Sequence, residues 1–157
     1  MPVTDAQISL QALRDPADLA RLKPFYEQSD GPSYGYFQGL QNQPHCQAWY
    51  LLKDKQPVAA IWYQCVAEWA EVIDFRVLPS ERRQGLGRKL LWASLTALGD
   101  VGAVELEMRS SNVAARALYE SLGFSETGLR PDYYATADGR EDAILMTLAL
   151  NHCDSVT

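Results

Sequence analysis

One segment near the middle of the chain carries a wide apolar helical face, and this face limits the folds that the chain can adopt. Over residues 85–98 (GLGRKLLWASLTAL), leucine and alanine recur at helical spacing in two adjoining rows. The rows consist of Leu86, Leu90, Ala93 and Ala97, with Leu91, Leu95 and Leu98 beside them. A helix with so broad an apolar face needs an apolar layer to cover, and we expect that layer to be a sheet.

Helices and strands alternate on both sides of this segment. The patterns predict strands at residues 7–13, 47–53, 57–65, 70–78, 103–108, 124–129 and 142–149. They predict further helices from Pro16 to about Tyr26 and over 112–122, the latter capped by Ser111 or Asn112. Residues 29–36 and 131–139 are predicted to be loops, and residues 53–57 a hairpin turn. This alternation indicates an α/β or α+β fold with a mixed sheet.

The length and the charge of the chain limit its organisation and its partners. With 157 residues, 47% of them apolar, the sequence predicts one domain over residues 1–150 and a polar tail at 151–157. The net charge of −6 disfavours a nucleic-acid partner, because binding to phosphates needs a surplus of Lys and Arg. An acidic surface favours cationic partners such as amines or basic peptides.

The sequence also argues against a membrane or metal-dependent protein. No stretch approaches the roughly 18 apolar residues that a membrane helix needs. Residues 1–20 lack the apolar run of a secretory signal. The three cysteines, Cys46, Cys65 and Cys153, form no CxxC pair. We therefore expect a cytoplasmic protein without a metal site.

The loop before the central helix has the chemistry of a phosphate site. Residues 82–89 (RRQGLGRK) follow a predicted strand and open the helix, where glycines allow close approach and the helix N-terminus favours an anion. Residues 76–92 hold five basic residues and one acidic residue, so this segment is positive in a negative chain. The alternative is a solvated basic first turn, although basic residues are mildly unfavourable at a helix N-terminus.

Two ordered motifs make the chain resemble a known family. The strand, the R-x-x-G-x-G loop and the helix resemble the acetyl-CoA signature of the GNAT family of N-acetyltransferases, and residues 112–124 (NVAARALYESLGF) resemble its second signature. Residues 130–134 (RPDYY) and 138–146 (DGREDAILM) are similar to the ribosomal-protein-alanine N-acetyltransferase branch. The resemblance covers roughly residues 57–148 and implies a mixed, mostly antiparallel sheet of six to seven strands with about four flanking helices.

The resemblance implies a site for acetyl-CoA, with direct transfer of the acetyl group in a ternary complex. The pyrophosphate would lie on the loop amides and the pantetheine arm beside a strand, where the Val77 amide would act as an oxyanion donor. Asn112 matches a position that contacts the pantetheine arm, although a role as a helix N-cap fits it equally well. The implied cofactor-binding residues are Phe75, Arg76, Val77, Arg83, Gln84, Gly85, Leu86, Gly87, Arg88 and Asn112.

Glu107 is the candidate general base. On the predicted strand 103–108, Glu105 and Glu107 share one face and the apolar residues share the other. Residues 106–109 (LEMR) match the L-E-x-R motif that carries the proton acceptor in the alanine N-acetyltransferase branch. The alternative is a salt bridge from Glu107 to an arginine such as Arg109. Glu71 and Asp74 on the preceding strand are rival bases.

Tyr119 is the candidate general acid for the departing thiolate, because a phenol can give a proton to a thiolate. Its helical spacing with Ala115 and Leu122 also fits a plain core aromatic residue. Tyr133 and Tyr134, in the predicted loop before the last strand, can shape the entrance for the acceptor or simply pack there, and Tyr34 is a third candidate for binding the acceptor. Glu141 and Asp142 can attract a cationic acceptor or face the solvent.

The first 56 residues depart from the alanine N-acetyltransferase branch, which has an F-P-W-S-like segment where residues 25–37 here read FYEQSDGPSYGYF. The leading hypothesis is transfer to a protein N-terminus, for example that of a ribosomal protein. Alternatives are a small amine or a lysine side chain as acceptor, or a non-catalytic module that senses acetyl-CoA. We expect a monomer or a homodimer with no nucleic-acid or membrane partner.

Overall fold

Seven strands form the framework of the computed structural model, which describes residues 7–150. The strands are β1 (Ile8–Ala12), β2 (Cys46–Lys53), β3 (Gln56–Val66), β4 (Trp69–Val77), β5 (Ala103–Arg109), β6 (Ser125–Thr136) and β7 (Gly139–Ala149). By hydrogen-bonded neighbours their order is β1-β2-β3-β4-β5-β7-β6. The β4–β5 pair is parallel, and the pairs β1–β2, β2–β3, β5–β7 and β6–β7 are antiparallel. The predicted mixed, mostly antiparallel sheet is therefore confirmed.

Five α-helices and one short 3₁₀ turn accompany the strands within residues 7–150. The helices are α1 (Pro16–Arg21), α2 (Lys23–Gln28), α3 (Tyr34–Gln41), α4 (Leu86–Ala97) and α5 (Val113–Ser121), and the 3₁₀ turn is Pro79–Glu81. The sequence predicted about four helices. The sequence patterns located three of them, and the two further helices come from the N-terminal region, where one predicted helix is two and a predicted loop is partly helical.

The chain forms two compact units, residues 7–64 with 73–99 and residues 65–72 with 100–150. Strand β4 contributes its first half to the second unit and its second half to the first. The expectation of one domain over 1–150 stays a prediction, and the predicted tail at 151–157 lies outside the described residues.

In the first unit, β2 and β3 separate two apolar layers. One face of the strands presents Tyr50 and Trp62 to helices α1–α3, where Phe37 is fully buried and the Trp62 Nε1 donates to the Tyr26 hydroxyl over 2.7 Å. The opposite face presents Tyr63, whose hydroxyl lies 2.6 Å from Ser94 Oγ on α4. The predicted helix over 85–98 thus covers a sheet, as its broad apolar face required.

In the second unit, β5 lies between the first half of β4 and β7. Val104, Leu106 and Met108 of β5 are buried with Met146 of β7. Strand β6 pairs only with β7 among the described strands, and its register shifts twice, between Glu126 and Gly128 and between Arg130 and Tyr134. These shifts are β-bulges, which re-aim the side chains beside them.

The predicted helix from Pro16 to about Tyr26 is wrong in its continuity. Asp15 caps α1 by accepting from the Asp18 amide at 2.9 Å, but the helix ends at Arg21. Pro24 has no N–H to donate to the Ala20 carbonyl, so the chain restarts as α2 at Lys23.

Two predicted loops are also partly wrong. The segment 29–36 is a loop only up to Ser33, because α3 begins at Tyr34 and buries Phe37, and this burial outweighs the low helix propensity of two glycines. The segment 131–139 is mostly strand, since β6 continues to Thr136 and pairs with β7 up to Gly139. Pro131 and the positive φ of Asp132 (51°) mark a bulge there rather than the end of the strand.

Candidate active site

A row of three carboxylates lies on one face of the strands of the second unit. Glu105 and Glu107 occupy the half-buried face of β5, while Val104, Leu106 and Met108 are at most 5% exposed on the other, as the alternation predicted. The parallel register places Glu71 of β4 opposite Glu105. We call Glu71, Glu105 and Glu107 the carboxylate row.

Arg130 is the ion-pair partner of Glu107. Its Nε lies 3.1 Å from Glu107 Oε1, and the Glu107 side chain is 20% exposed against 52% for Arg130. The predicted alternative, a salt bridge from Glu107 to an arginine, is therefore confirmed, but the example Arg109 is wrong as the partner, because Arg109 pairs with Glu141 at 2.9 Å. Glu107 therefore lies in a partly covered position with one cation beside it.

The pKa of Glu71 depends on the other two members of the carboxylate row. The pKa of its carboxyl is raised, first by partial desolvation and then by the negative charges of Glu107 and Glu105, while Arg130 opposes the rise. The row thus behaves as one electrostatic cluster, in which Glu71 binds a proton more readily than an ordinary glutamate.

Tyr119 lies half-buried on α5, with its ring centroid 5.7 Å from that of Phe124. Burial raises the pKa of Tyr119 to about 12, and Tyr134 adds to the rise. The phenol therefore keeps its proton at neutral pH. The packing against Phe124 fits the core-aromatic alternative, and the retained proton fits the role of an acid.

Tyr133 and Tyr134 lie within β6 rather than in a loop, with their rings edge-on at 5.0 Å. The pKa of Tyr134 is raised by burial and then by the charge of Glu107, with smaller contributions from its other neighbours. Tyr134 is thus coupled electrostatically to both Glu107 and Tyr119, the two candidate catalytic groups.

Glu141 and Asp142, predicted either to attract a cation or to face solvent, both have internal partners. Glu141 accepts from the Ser111 amide and from Arg109, and these bonds, the first above all, lower the pKa of its carboxyl. Asp142 Oδ1 accepts from the Asp132 amide over 2.9 Å. These carboxylates hold the hairpin and the β5–α5 connection in place.

The loop before α4 lies in the first unit and presents its backbone. Gly85 is the N-cap with φ of 75°, and a Cβ built on it would meet nothing within 4 Å. Arg83 also has a positive φ, of 64°. Leu86 is buried, so only its backbone can face a ligand, whereas Gly87 is half-buried and Arg88 is exposed. This exposed helix start suits an anion.

Gln84 and Asn112 already have internal partners. Lys53 Nζ lies 2.9 Å from Gln84 Oε1 and 2.7 Å from Glu81 Oε2. Asn112 Oδ1 accepts from the Ala115 amide at 3.1 Å, so the predicted N-cap is confirmed. Because the cap uses Oδ1, the predicted contact of Asn112 with the pantetheine arm would have to come from its other polar atoms.

Arg76 and Asp74 form a buried ion pair at the end of β4, in the first unit. The Asp74 oxygens accept from Arg76 Nε at 2.7 Å and Nη2 at 2.8 Å, with the two side chains 5% (Arg76) and 13% (Asp74) exposed. The Arg76 side chain therefore adds no exposed charge to the basic segment 76–92, and only its backbone can serve a ligand. The neighbouring Phe75 and Val77 are half-buried.

The same arginine anchors the α2–α3 connection. Arg76 Nη1 donates to Ser29 Oγ at 3.0 Å, and its guanidinium lies 5.1 Å from the Tyr26 ring. A Cβ on Gly31 would lie 2.5 Å from Nη2. Tyr34, the third candidate for acceptor binding, begins the following helix, with Lys23 Nζ 5.8 Å from its ring.

The fold and these groups define a class of protein, which comparison with known proteins identifies. A profile of the acetyltransferase (GNAT) family matches residues 14–124, so the chain belongs to the GNAT family. It is similar to the [ribosomal protein bS18]-alanine N-acetyltransferase of Escherichia coli strain K12, with 49% identity over 90 residues. That match covers 56% of this chain and 61% of the relative, so it spans about three fifths of the relative's length.

Solved structures give the same fold. The crystal structure of the ribosomal-protein-S18-alanine N-acetyltransferase from Escherichia coli matches with a TM-score of 0.85 and 34% identity, over 96% of this chain and 99% of that one. Arabidopsis thaliana NAA60 in complex with acetyl-CoA matches with a TM-score of 0.75 over 92% of this chain and 99% of that one; at 14% identity this likeness concerns the fold alone.

Two further observations concern residues 7–150. No helix in this part of the chain is long and apolar enough to cross a membrane. The same residues contain no group of three or more His, Cys, Asp and Glu side chains arranged to hold a metal ion.

Sequence reasoning missed the role of Arg130 and the partner of Arg109. Both depend on the register of β7 against β5 and of β6 against β7. The L-E-x-R motif included Arg109 but gave no sign that its partner lies 32 residues later.

Proposed function

We propose that this chain transfers an acetyl group from acetyl-CoA to the N-terminal α-amine of a protein, with a ribosomal protein as the expected acceptor. The observation that carries the proposal is the strand register, which places Glu107 on the half-buried face of β5 and Tyr134 on the same face of the second unit. Tyr134 also adds to the raised pKa of Tyr119, the candidate acid. The names of the relatives support the same choice of acceptor.

Glu107 is the general base in this proposal. A protein α-amine has a pKa of about 7.7–8.0, so its ammonium form needs only a modest base to become neutral. Glu107 accepts that proton through a water molecule, and the amine nitrogen then attacks the carbonyl carbon of the thioester. As the new C–N bond forms, the nitrogen releases its remaining excess proton to solvent, and Glu107 then releases the proton that it accepted to solvent as well.

Tyr119 is the general acid. The C–S bond breaks as the amide forms, and the sulfur takes the phenolic proton, which gives the free thiol of CoA. Solvent then returns a proton to the Tyr119 oxygen. In sum an ammonium and a thioester become an amide, a thiol and one proton, and no oxidant or metal takes part.

Acetyl-CoA binding is assigned to the first unit in this proposal. Backbone amides at the start of α4, from Arg83 to Arg88, bind the pyrophosphate, and the open space around Gly85 supports that role. The backbone of Phe75, Arg76 and Val77 pairs with the pantetheine arm, and the Val77 amide stabilises the developing oxyanion. The proposal includes a cytoplasmic location, since an acceptor of this kind is made there.

The test follows the release of free thiol from acetyl-CoA with three classes of acceptor. These are peptides with a free N-terminal Ala, the same peptides with a blocked N-terminus and an internal Lys, and polyamines. We expect turnover with the first class, and mass spectrometry should place the acetyl group on the α-amine. Turnover confined to the other two classes would refute the acceptor assignment, and binding of acetyl-CoA without turnover of any acceptor would favour a sensor.

A further inference from the structure

Arg109, at the end of β5, contacts three different parts of the β6–β7 hairpin. Its guanidinium carbon lies 4.6 Å from the centroid of the Tyr134 ring. Its Nη1 donates to Glu141 Oε1 at 2.9 Å and to the Ala135 carbonyl at 3.3 Å. A cation held over an aromatic face by a carboxylate and a carbonyl restricts the orientation of that ring.

Glu141 ties this arrangement to a further segment. Its second oxygen, Oε2, accepts from the Ser111 amide at 3.2 Å. Ser111 directly precedes Asn112, the N-cap of the helix that carries Tyr119. One carboxylate therefore connects the arginine beside Tyr134 with the start of the Tyr119 helix.

The strand register places the ring on the face of the carboxylate row. Tyr134 lies opposite Glu141, and Arg109 lies opposite Ala143, two residues further along the same face of β7. On β5, Arg109 is two residues from Glu107 and so shares its face. Tyr134, Arg109, Glu141 and Glu107 thus project from the same side of the second unit.

We propose that Arg109, held by Glu141, is a positioning residue that fixes the Tyr134 ring as a wall for the acceptor peptide beside Glu107. This inference rests on the proposed function, and it adds a determinant of acceptor binding that acts through another side chain. A ring fixed before the peptide arrives loses less entropy on binding, so the acceptor binds more tightly. Acetyl-CoA binding, assigned to the first unit, does not use this contact.

The kinetic test compares Arg109→Met, Arg109→Lys and a matched control, Arg116→Met. Arg116 is also a partly exposed, ion-paired arginine, with partners Glu120 and Glu126 at 2.9 and 2.8 Å. We expect Arg109→Met to raise the KM for the acceptor peptide roughly three- to tenfold, from the size of a lost cation–π contact and its ion pair. The KM for acetyl-CoA should stay within about twofold, and Arg109→Lys should restore part of the loss.

A double variant shows whether Arg109 acts through Tyr134. In a Tyr134→Leu background, Arg109→Met should have little further effect on the acceptor KM. Equal changes in both KM values, an unchanged acceptor KM, or full additivity with Tyr134→Leu would overturn the proposal. So would an effect of Arg116→Met as large as that of Arg109→Met.

A second readout does not depend on turnover. In aromatic ¹³C–¹H NMR spectra of the free protein, with the Tyr134 signal assigned from Tyr134→Phe, Arg109→Met should shift and broaden that signal while Arg116→Met leaves it in place. An unchanged Tyr134 signal in Arg109→Met refutes the positioning role even if no acceptor is acetylated. If the wild-type protein acetylates no acceptor although the NMR change is present, the proposed function is refuted. In that case Arg109 still positions the Tyr134 ring, but the ring has no role in binding an acceptor peptide.

Discussion

Glu107 Oε1 and Arg130 Nε lie 3.1 Å apart, although β7 separates the strands that carry them. The arginine reaches Glu107 from β6, past Leu145, which is the β7 residue paired with both Glu107 and Gly128. An acceptor ammonium that approaches Glu107 meets a carboxylate that already has one cationic partner.

Replacing Glu107 tests its role as the base. We expect Glu107→Gln to lower kcat/KM for the acceptor about 10²- to 10³-fold, the size of a lost general base. Glu105→Gln is the matched control, since this carboxylate lies on the same face two residues away. Steady-state kinetics measure kcat/KM for both variants. Similar kcat/KM values for Glu107→Gln and Glu105→Gln would show that Glu107 is not the general base.

Replacing Tyr119 tests the acid. Because burial holds the pKa of Tyr119 at about 12, the phenol stays protonated throughout the neutral range. Tyr119→Phe should lower kcat about 10²-fold with little change in KM, and Tyr119 should add no alkaline limb to the wild-type profile below about pH 10. The control is Tyr36→Phe, an exposed tyrosine of α3. The measurement is a pH–rate profile of each variant. An unchanged kcat in Tyr119→Phe would show that Tyr119 only packs in the core and is not the general acid.

Asp74→Asn separates a rival base from a structural ion pair. The variant leaves the buried Arg76 without its carboxylate, and such losses cost about 3–5 kcal/mol. We therefore expect a large drop in the free energy of unfolding, measured in urea, and partial recovery in the double variant Asp74→Asn with Arg76→Met. A stable Asp74→Asn protein that is inactive would instead identify Asp74 as the base.

Gly85→Ala and Gly39→Ala should have opposite effects on stability. A Cβ at either position meets nothing within 4 Å, so space does not distinguish them. Gly85 has φ of 75°, where an L-residue costs about 1–2 kcal/mol, whereas Gly39 lies within α3, where alanine gains up to about 1 kcal/mol. Thermal unfolding of both variants measures the difference, and a stabilised Gly85→Ala would contradict the strained helix start.

Glu71→Gln should change the dependence of stability on pH. Since the pKa of Glu71 is raised in the folded protein, its charged form opposes folding, and the wild type loses stability as the pH rises through that pKa. The variant should gain up to about 0.5 kcal/mol at pH 7 and nothing below about pH 4. Glu68→Gln, in the turn just before β4, serves as the control in urea titrations at both pH values. A lower free energy of unfolding for Glu71→Gln than for the wild type at pH 7 would show that the carboxylates of the row do not repel one another.

Much of the fold follows from local patterns in the sequence. The rows of leucine and alanine over 85–98 predicted α4, and the alternation over 103–108 predicted which face of β5 is buried, because both depend on repeats within one element. The turn at Asp54-Lys55 was predictable for the same reason, and both of its residues adopt the positive φ of a tight hairpin.

The candidate site was less predictable, because its contacts join distant segments. Glu107 stood out from its motif, but its pairing with Arg130 depends on the register shift between Glu126 and Gly128 in β6. Asp74 and Arg76 are two residues apart, yet their burial depends on a loop more than 40 residues earlier, where Ser29 meets the guanidinium. Single-sequence patterns carry neither kind of information.

The irregularity of β6 also affects how this protein behaves at high concentration. Twelve residues of mostly exposed strand at the end of the strand order would offer a template for other chains to pair with. Two bulges break that template, and Pro131 removes one donor from it. The distortion that places Tyr133 and Tyr134 is therefore also a safeguard against self-association into aggregates, and a straightened β6 would lose both properties together.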